Sequence, residues 1–342
     1  MGQVTELTDQ ADKVVIGIDG GGTHTRAMVC NLRGEVLAYT EKGPASIYRD
    51  ASAARNVTGA IEEALVQAGK SPEQVLGVAA GIAGYDTEDD LAWIMTLTRL
   101  PGLICPTWHV NDAVIAHQGA LGMQPGIVVI AGTGSNILAI TEEGQQLRND
   151  QFHHYAASGA RLIAYDAVYE ILAGNTDSTD EGLIAAMKTH WHVETLSEFY
   201  QLAKKGFEAD RQLRDRTFGR FAPWITEAAS QGSSTAMRVC DRAVSQIKVG
   251  VELLGSSFAN ESVDVVLIGG VANSTYVSRA LTRQLQCGSH RRYQVHKPIL
   301  SPVAGAILLA LHELGMPVLP AVITNLQRSP FARGSKEQPA GH

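Results

Sequence analysis

The stretch VVIGIDGGGTHTRAMVCN, residues 14–31, decides the fold of this chain. An apolar segment ends at Asp19, three glycines and two threonines follow, and a second apolar segment begins at once. Glycine has no Cβ, so the backbone N–H groups of such a turn can approach an anion closely. We interpret the stretch as two strands joined by a phosphate-binding turn, in which Asp19 can hold a magnesium ion; a tight hairpin without a ligand is the alternative. The predicted phosphate ligands are Gly20, Gly21, Gly22, Thr23 and Thr25.

The pattern occurs a second time in GIVVIAGTGSNILAITEEG, residues 126–144. An apolar segment again reaches a turn of glycine and hydroxyl residues, and a second apolar segment again follows. The same spacing separates Gly22 from Gly34 and Gly132 from Gly144. The repetition predicts two related halves that could face each other across a cleft, each with a phosphate-binding hairpin. The second set of predicted phosphate ligands is Gly132, Thr133, Gly134 and Ser135.

A third glycine-rich turn lies in VDVVLIGGVANS, residues 263–274. A short apolar segment runs into Gly269 and Gly270, and a helix is predicted from about Thr275. Backbone can approach a flat ligand closely at such a turn, which makes it a candidate nucleoside site. An ordinary strand-to-helix turn of an α/β domain is the alternative.

Five motifs in this order resemble the actin-like ATPase superfamily of sugar kinases, actin and Hsp70-type chaperones. Within it, the chain is similar to the group of N-acetylglucosamine kinases and BadF/BadG/BcrA/BcrD ATPases, over most of residues 14–315. The motifs are DGGGTHT (19–25), ND (111–112), AGTGS (131–135), IGGVANS (268–274) and SPVAGAILLAL (301–311).

The resemblance implies an α/β fold of two ribonuclease-H-like domains, with ATP and Mg²⁺ in the cleft between them. By this likeness the first two turns hold phosphates, while Gly269, Gly270 and Asn273 of the third turn bind adenosine. It also implies a homodimer.

Asp112 is the predicted general base. The apolar run 104–110 delivers Asn111 and Asp112 to the carboxyl end of a strand, where ligands gather in open α/β sheets. Phosphoryl transfer to a sugar needs a group that accepts the hydroxyl proton, and a carboxylate suits this role. The resemblance implies that Asp112 is the catalytic aspartate of the family. The alternative role is capping of the following helix, because Asp is a good helix N-cap.

The predicted sugar-binding residues follow from the resemblance. Gly84 lies in a segment that matches a substrate-facing loop, and Ser46 lies where related bacterial kinases usually carry asparagine. Acidic residues from Asp86 onward are explained mainly by capping of the following helix. The predicted sugar ligands are Ser46, Gly84, Asn111, Asp112 and Thr133.

One segment departs from the amino-sugar kinases, which usually carry GDEGS after the second hairpin. This chain reads HHYAASGARLIAYDAVYEIL over residues 153–172, with Ala156 and Ala157 where the acids belong. Loss of one hydrogen-bond partner costs about 1–3 kcal/mol of discrimination, enough to change the preferred sugar. His153 and His154 are possible substrate contacts, but adjacent histidines in a polar loop are more often solvent-facing.

Composition favours a cytoplasmic two-domain enzyme. The chain has 342 residues and a net charge of −7, which argues against a nucleic-acid or anionic-membrane surface. There is no run of about 18 apolar residues, and the N-terminus is polar. Cys30, Cys105, Cys240 and Cys287 show no paired spacing, so neither zinc nor a disulfide framework is predicted. Dehydratase activators of the group resemble iron–sulfur proteins, and the absence of cysteine near residues 131–135 disfavours that branch.

Apolar periodicity predicts the organisation of the chain. A disordered N-terminus (1–12) precedes an N-terminal domain (13–120), and a C-terminal domain with a helical insertion (121–300) precedes a disordered tail (328–342). The resemblance implies that the helix near 302–315 rejoins the N-terminal domain. Strands are predicted at 14–19, 26–31, 36–41, 75–82 and 104–110, and helices at 51–68, 88–99, from 113, within 157–259 and at 302–314.

Three functions fit these features. The leading one is a kinase that uses ATP and Mg²⁺ to phosphorylate a hydroxyl of an amino sugar, N-acetylglucosamine or glucosamine. The second is an ATPase that couples its nucleotide cycle to a protein partner. The third is a sugar-binding regulator without catalysis, which the retention of Asp19, Asp112 and both hairpins disfavours.

Overall fold

The computed structural model describes residues 12–47, 50–287 and 291–334. They form two compact units, one from residues up to Gln124 together with those from Lys297 onward, and one from Pro125 to His296. The predicted disorder of residues 1–11 and 335–342 lies outside the described residues.

The first unit is built on a mixed sheet. Among its described residues, five strands follow the spatial order β3-β2-β1-β4-β5. The first three form an antiparallel meander, and β1, β4 and β5 are parallel. Helices cover both faces of β1, so its side chains are all buried, which explains the unbroken apolar run in the sequence. The strands are β1 (Val14–Gly20), β2 (Thr25–Asn31), β3 (Val36–Lys42), β4 (Val75–Ile82) and β5 (Thr107–Asn111).

Two helical layers enclose this sheet. One core contains Ile16 and Ile18 with residues of α1, and the other contains Val15 and Met28 with residues of α10. The helix predicted at 302–314 therefore packs on the first strand of the chain. The helices are α1 (Ala53–Ala68), α2 (Leu91–Leu97), α3 (Asp112–Leu121), α10 (Pro302–Glu313) and α11 (Pro320–Arg328).

The second unit repeats the strand arrangement of the first. Over the described part of 125–296 the order is β10-β9-β6-β7-β8, and the antiparallel and parallel pairings match those of the first sheet. The repetition predicted from the two hairpins is confirmed as a shared topology. The strands are β6 (Gly126–Ala131), β7 (Ser135–Ile140), β8 (Gln146–Arg148), β9 (Ser262–Ile268) and β10 (Arg292–His296).

A helical insertion separates β8 from β9. Its core is aromatic: Phe199, Phe218 and Phe221 are fully buried and surround Trp191. The helices of this unit are α4 (Ala160–Leu172), α5 (Glu181–His190), α6 (Leu196–Lys204), α7 (Arg211–Ser230), α8 (Ser234–Gly255) and α9 (Thr275–Gln286). No helix in the described part of the chain is long and apolar enough to cross a membrane.

Asp180, directly before α5, ties the start of that helix to the start of α8 within the helical insertion. Its buried carboxylate accepts hydrogen bonds from the Ser233 hydroxyl at 2.6 Å and from the Thr235 backbone N–H at 3.0 Å and hydroxyl at 2.8 Å. Burial alone would raise the pKa of Asp180, but these hydrogen bonds hold it down at about 2. Because the folded pKa is depressed, this stabilisation is complete above about pH 4 and is lost as the pH falls towards 2.

Replacing Asp180 with alanine should lower the free energy of unfolding by about 2–3 kcal/mol, because buried donors lose their acceptor. Urea unfolding at pH 7 measures this change. Glu181→Ala, at the exposed neighbouring position, is the matched control and should change stability by less than about 0.5 kcal/mol. Equal effects of the two substitutions would show that Asp180 has no special stabilising role.

Two boundaries differ from the sequence-based expectation. The strand expected from Ile104 begins only at Thr107, since Pro106 precedes it and the Ile104 side chain is 95% exposed. The segment 328–334, part of the tail expected to be disordered, has defined contacts in the structure. Ala332 is fully buried, and the backbone of Arg333 forms a bridge with Leu300. These contacts come from a backbone bridge and from single side chains, neither of which apolar periodicity reports.

Candidate active site

The first turn joins β1 to β2 and is open where an anion would approach. It is closed by a hydrogen bond of 2.9 Å from the Gly21 N–H to the His24 carbonyl. Gly22 and Thr23 are exposed, and a Cβ built on Gly22 would meet no heavy atom within 4 Å. The geometry therefore leaves room for a phosphate beside the backbone, as the glycine run predicts.

Thr25 differs from Thr23 because its side chain is fully buried. Its Oγ1 has no hydrogen-bond partner in the described structure. A buried hydroxyl without a partner costs about 1–3 kcal/mol. Thr25 is the first residue of β2 and directly follows the first turn.

Asp19 lies one residue before the end of β1, with a buried carboxylate. Its Oδ2 accepts a hydrogen bond from Arg26 Nη1 at 3.0 Å. Burial raises the pKa of Asp19, and the charge of Arg26 partly opposes that rise. No group of three or more His, Cys, Asp or Glu residues that could hold a metal occurs in the described residues. A lone carboxylate nevertheless suits Mg²⁺, which is commonly held by one or two carboxylates together with substrate phosphates and water.

The strand register brings the first turn and the predicted base to the same edge of the sheet. Gly20 is paired with Ile82 across β1 and β4, and Ile82 is paired with Asn111 across β4 and β5. Asp112 then opens α3. Burial first, and then the negative charges of Asp19 and Asp86, raise the pKa of Asp112 to about 6. A carboxyl group with this pKa can accept a proton near neutral pH.

Asn111 holds this edge together. Its Oδ1 accepts a hydrogen bond from the Ala113 N–H at 2.9 Å, which caps α3. Its Nδ2 donates to the Tyr85 carbonyl at 2.9 Å and to Asp86 Oδ1 at 3.2 Å. The capping role that the sequence suggested for the acidic run belongs to Asp90, whose Oδ2 accepts a hydrogen bond from the N–H of the N-cap residue Thr87 at 2.9 Å. The Asp86 carboxylate is turned towards Asn111, a position that sequence reasoning did not identify.

The predicted sugar-binding loops are hydrogen-bonded to the first turn and the end of β1. The Ala45 N–H donates to the Gly21 carbonyl at 3.1 Å, and the Ala83 N–H donates to the Gly20 carbonyl at 2.8 Å. Ser46 and Gly84, which follow Ala45 and Ala83, are therefore near that turn. Ser46 is buried, and Gly84 has a φ of +89°, which favours glycine.

The turn of the second hairpin is exposed to solvent, as the first turn is. The Gly132 N–H donates to the Gly134 carbonyl at 3.0 Å, while Thr133 and Gly134 are exposed. The hydroxyl of Ser135 is used within the protein, because it donates to the Ala156 carbonyl at 2.5 Å and lies 2.8 Å from the Ser158 hydroxyl.

The amino end of α4 lies against this second hairpin. The Ala160 N–H donates to the Gly132 carbonyl at 2.7 Å, and a Cβ on Gly159 would lie 3.4 Å from the Thr133 carbonyl oxygen. A helix N-terminus carries partial positive charge and favours anions. This helix was predicted from the sequence, but its start beside the hairpin was not, because helix position is a tertiary property.

The third turn packs directly on the strand before the second hairpin. The N–H groups of Val271 and Ala272 donate to the Ala131 carbonyl at 3.0 and 3.1 Å. Gly269 has a φ of +99°, and a Cβ there would lie 2.4 Å from the same oxygen. Asn273 Nδ2 donates to the carbonyls of Leu267 and Gly269, each at 3.1 Å, and so holds the shape of the turn. The second and third turns are thus neighbours.

A cavity of about 860 Å³ lies along α9, the helix that follows the third turn. Thr275 and Tyr276 of α9 line it, with Ala229 of α7 and Met237 of α8 opposite. Arg279 is exposed at its rim. Its size and mixed lining suit a heterocycle with polar edges. Sequence reasoning identified the turn but not the two helical walls.

The loop in which alanines replace the expected acids is partly buried in the second unit. Ala156 is buried in the core of the second unit, and Ala157 is exposed. His153 is exposed with a φ of +54°. His154 packs near Gly250, and both of its ring nitrogens are buried without hydrogen-bond partners in the described structure.

Comparison with known proteins relates the chain to amino-sugar kinases. The chain is 27% identical over 279 residues to an N-acetylmuramic acid/N-acetylglucosamine kinase of Clostridium acetobutylicum, covering 77% of this chain and 86% of the relative. It is 36% identical over 121 residues to a glucosamine kinase of Vibrio cholerae, covering 35% and 41%. A structure from Chromobacterium violaceum, solved as a candidate N-acetylglucosamine kinase, matches with a TM-score of 0.66 at 22% identity, covering 87% and 99%, which shows a shared fold.

A sequence model of one family matches residues 16–310, which is most of the chain. That span contains the turns of both hairpins, Asp112 and the third turn. The chain belongs to the BadF/BadG/BcrA/BcrD ATPase family.

Proposed function

We propose that the protein is an ATP-dependent sugar kinase that phosphorylates a hydroxyl of an amino sugar, N-acetylglucosamine or glucosamine. The observation that carries the proposal is the common sheet edge of the first turn and Asp112, fixed by the pairing of Gly20, Ile82 and Asn111. A phosphate-binding turn beside a carboxyl group with a pKa of about 6 supplies the two parts that phosphoryl transfer needs. The named relatives support the sugar as acceptor.

Each group has a role in this proposal. The ionised Asp112 carboxylate accepts the proton of the attacking sugar hydroxyl. N–H groups of the first and second turns neutralise phosphate charge, and the N-terminus of α4 adds to the second. The third turn and its cavity bind adenosine. Ser46, Gly84, Asn111 and Thr133 stay predicted sugar contacts.

Asp19 would hold Mg²⁺ directly or through water. When bound, this ion neutralises charge on the phosphates and orients them. The open turn, the unpaired hydroxyl of Thr25 and the buried carboxylate of Asp19 fit such a metal–nucleotide complex. A cytoplasmic location and a homodimer stay predictions.

The test is ADP release from purified protein with ATP and Mg²⁺. The panel contains glucosamine, N-acetylglucosamine, N-acetylmuramate, glucose and no sugar. Turnover that depends on an amino sugar would support the kinase, and the ranking would identify the acceptor. Turnover independent of sugar would favour a partner-coupled ATPase, and its absence throughout would favour the non-catalytic regulator.

Thr25→Val should separate a ligand role from a packing role. The free energy of unfolding should rise by about 1 kcal/mol, because a methyl group replaces an unpaired buried hydroxyl. The affinity for ATP with Mg²⁺ should fall about tenfold, because a hydrogen bond to a charged group is lost. Chemical denaturation and calorimetric titration measure the two effects, and Thr25→Ser, which keeps the hydroxyl, is the control. If Thr25→Val leaves the nucleotide affinity unchanged, Thr25 does not bind the nucleotide and its side chain serves only in packing.

A further inference from the structure

A row of charged side chains extends from Asp19 across the first sheet. Asp19 is paired with Arg26 across β1 and β2, and Arg26 is paired with Glu41 across β2 and β3. Directly paired residues of neighbouring strands point to the same face of a sheet. The proposed kinase mechanism uses Asp19 but gives no role to the other two.

Arg26 is the centre of this row and binds both carboxylates. Its Nη1 lies 3.0 Å from Asp19 Oδ2, and its Nε lies 3.2 Å from Glu41 Oε2. Glu41 has two further partners: the Tyr39 hydroxyl donates to Oε2 at 3.0 Å, and His24 Nδ1 lies 2.9 Å from Oε1. Glu41, which binds Arg26 Nε, is therefore itself held in place by two other side chains.

The row continues into the C-terminal segment, residues 329–334. The rings of Tyr39 and Phe331 are stacked, with centroids 4.2 Å apart and planes 7° from parallel. The backbone around Phe331 is fixed by Ser301, whose hydroxyl donates to the Phe331 carbonyl at 2.9 Å and whose N–H donates to the Ala332 carbonyl at 2.8 Å. A segment that composition predicts to be disordered thus contacts the side chain that holds Glu41.

This row of charged side chains can orient the carboxylate of Asp19. A carboxylate that binds a metal ion must present an oxygen atom in a fixed direction. Arg26 fixes Oδ2 of Asp19 through a hydrogen bond of 3.0 Å, which leaves Oδ1 without a hydrogen-bond partner among the described residues. The Arg26 side chain is 35% exposed, so each ion pair by itself contributes little stability. The ion pairs therefore matter more for the orientation of the Asp19 carboxylate than for the stability of the fold.

We propose that Arg26 is a positioning residue for Asp19 in metal–nucleotide binding, and that Glu41, Tyr39 and Phe331 connect the C-terminal segment to it. The inference rests on the proposed function, since it takes Asp19 as the residue that holds Mg²⁺. Groups that orient metal ligands typically affect metal affinity by about 10–100-fold.

Calorimetric titration of ADP with and without Mg²⁺ tests the proposal. The wild type should bind ADP more tightly with Mg²⁺. Arg26→Ala should lose about tenfold or more of this Mg²⁺-dependent gain, with binding of ADP alone nearly unchanged. Arg26→Lys keeps the charge without the planar fork and should lose a smaller part. The control is Lys42→Ala, which removes the cation of the neighbouring β3 residue, ion-paired with Glu63, and should change neither titration.

Tyr39→Phe removes only the hydroxyl and keeps the ring stacked on Phe331. It should reduce the Mg²⁺-dependent gain about two- to fivefold, and it should add nothing to Arg26→Ala, because both act through one network. A wild-type gain that persists in Arg26→Ala would overturn the inference and leave the proposed function standing. Failure of the wild type to bind ADP with or without Mg²⁺ would overturn both.

Discussion

Replacing Asp112 with asparagine should lower sugar-dependent ADP formation by about 10²–10⁴-fold, because the amide cannot accept the hydroxyl proton. Affinity for ATP should change little, since the phosphate-binding turns stay intact. Steady-state ADP release and nucleotide titration on the same preparation measure the two quantities. Asp89→Asn, an exposed acidic residue of the nearby run, is the control and should keep activity. If Asp112→Asn retains more than about a tenth of wild-type turnover, Asp112 is not the base.

The pH dependence adds a second, independent readout. Burial first, and then Asp19 and Asp86, raise the pKa of Asp112 to about 6. A base acts when ionised, so kcat/KM should rise as the pH increases through about 6 and then level off. Removing the charge of Asp86 by Asp86→Asn should move this midpoint to lower pH. A profile without an ionisation near 6 would argue against the assignment.

Folding stability should respond in the opposite sense to activity. The folded pKa of Asp112 lies above the ordinary value of 3.8, so ionisation costs stability as the pH rises from about 4 to about 6. Asp112→Asn removes this cost, and its free energy of unfolding at pH 7 should exceed that of the wild type. An inactive and more stable variant would exclude misfolding as the cause of inactivity.

The elements that carry local signals were predictable from the sequence. Both hairpins were identified because glycine and hydroxyl residues interrupt strand-like apolar runs, and these signals lie within a few residues of each other. The turn at Gly269 and the helix after it were identified in the same way. Asp112 was placed correctly at the junction of β5 and α3.

The features that depend on register or on distant chain segments were not predictable. The alignment of Gly20 with Ile82 and Asn111 is set by pairing between strands far apart in sequence. Arg26 has the polar character of an exposed strand residue, and only the register shows that it meets Asp19. Phe331 is a single aromatic residue in a polar segment, so neither periodicity nor composition predicts its contact with Tyr39.

Gly305→Ala should be the most damaging single-methyl change in the first unit. The helices α3 and α10 approach so closely that a Cβ on Gly305 would lie 2.0 Å from the Ile115 carbonyl oxygen and 2.5 Å from the Gly119 nitrogen. Both obstacles are backbone atoms, so relief requires the two helices to separate. We expect a loss of about 4 kcal/mol or more in the free energy of unfolding, measured by urea denaturation.

The matched control is Gly59→Ala, the same change in α1 at a position where the Cβ would meet nothing within 4 Å. Alanine favours helix over glycine by about 1 kcal/mol, so this variant should be more stable than the wild type. Similar stability of the two variants would show that the helices can separate at little cost. If they cannot, the consequence reaches the site, because α3 begins at Asp112 and α10 also packs on β1, which ends in the first turn. Close packing at Gly305 then sets the distance between the proposed base and the phosphate-binding turn, and a folded Gly305→Ala protein should lose turnover while Gly59→Ala keeps it.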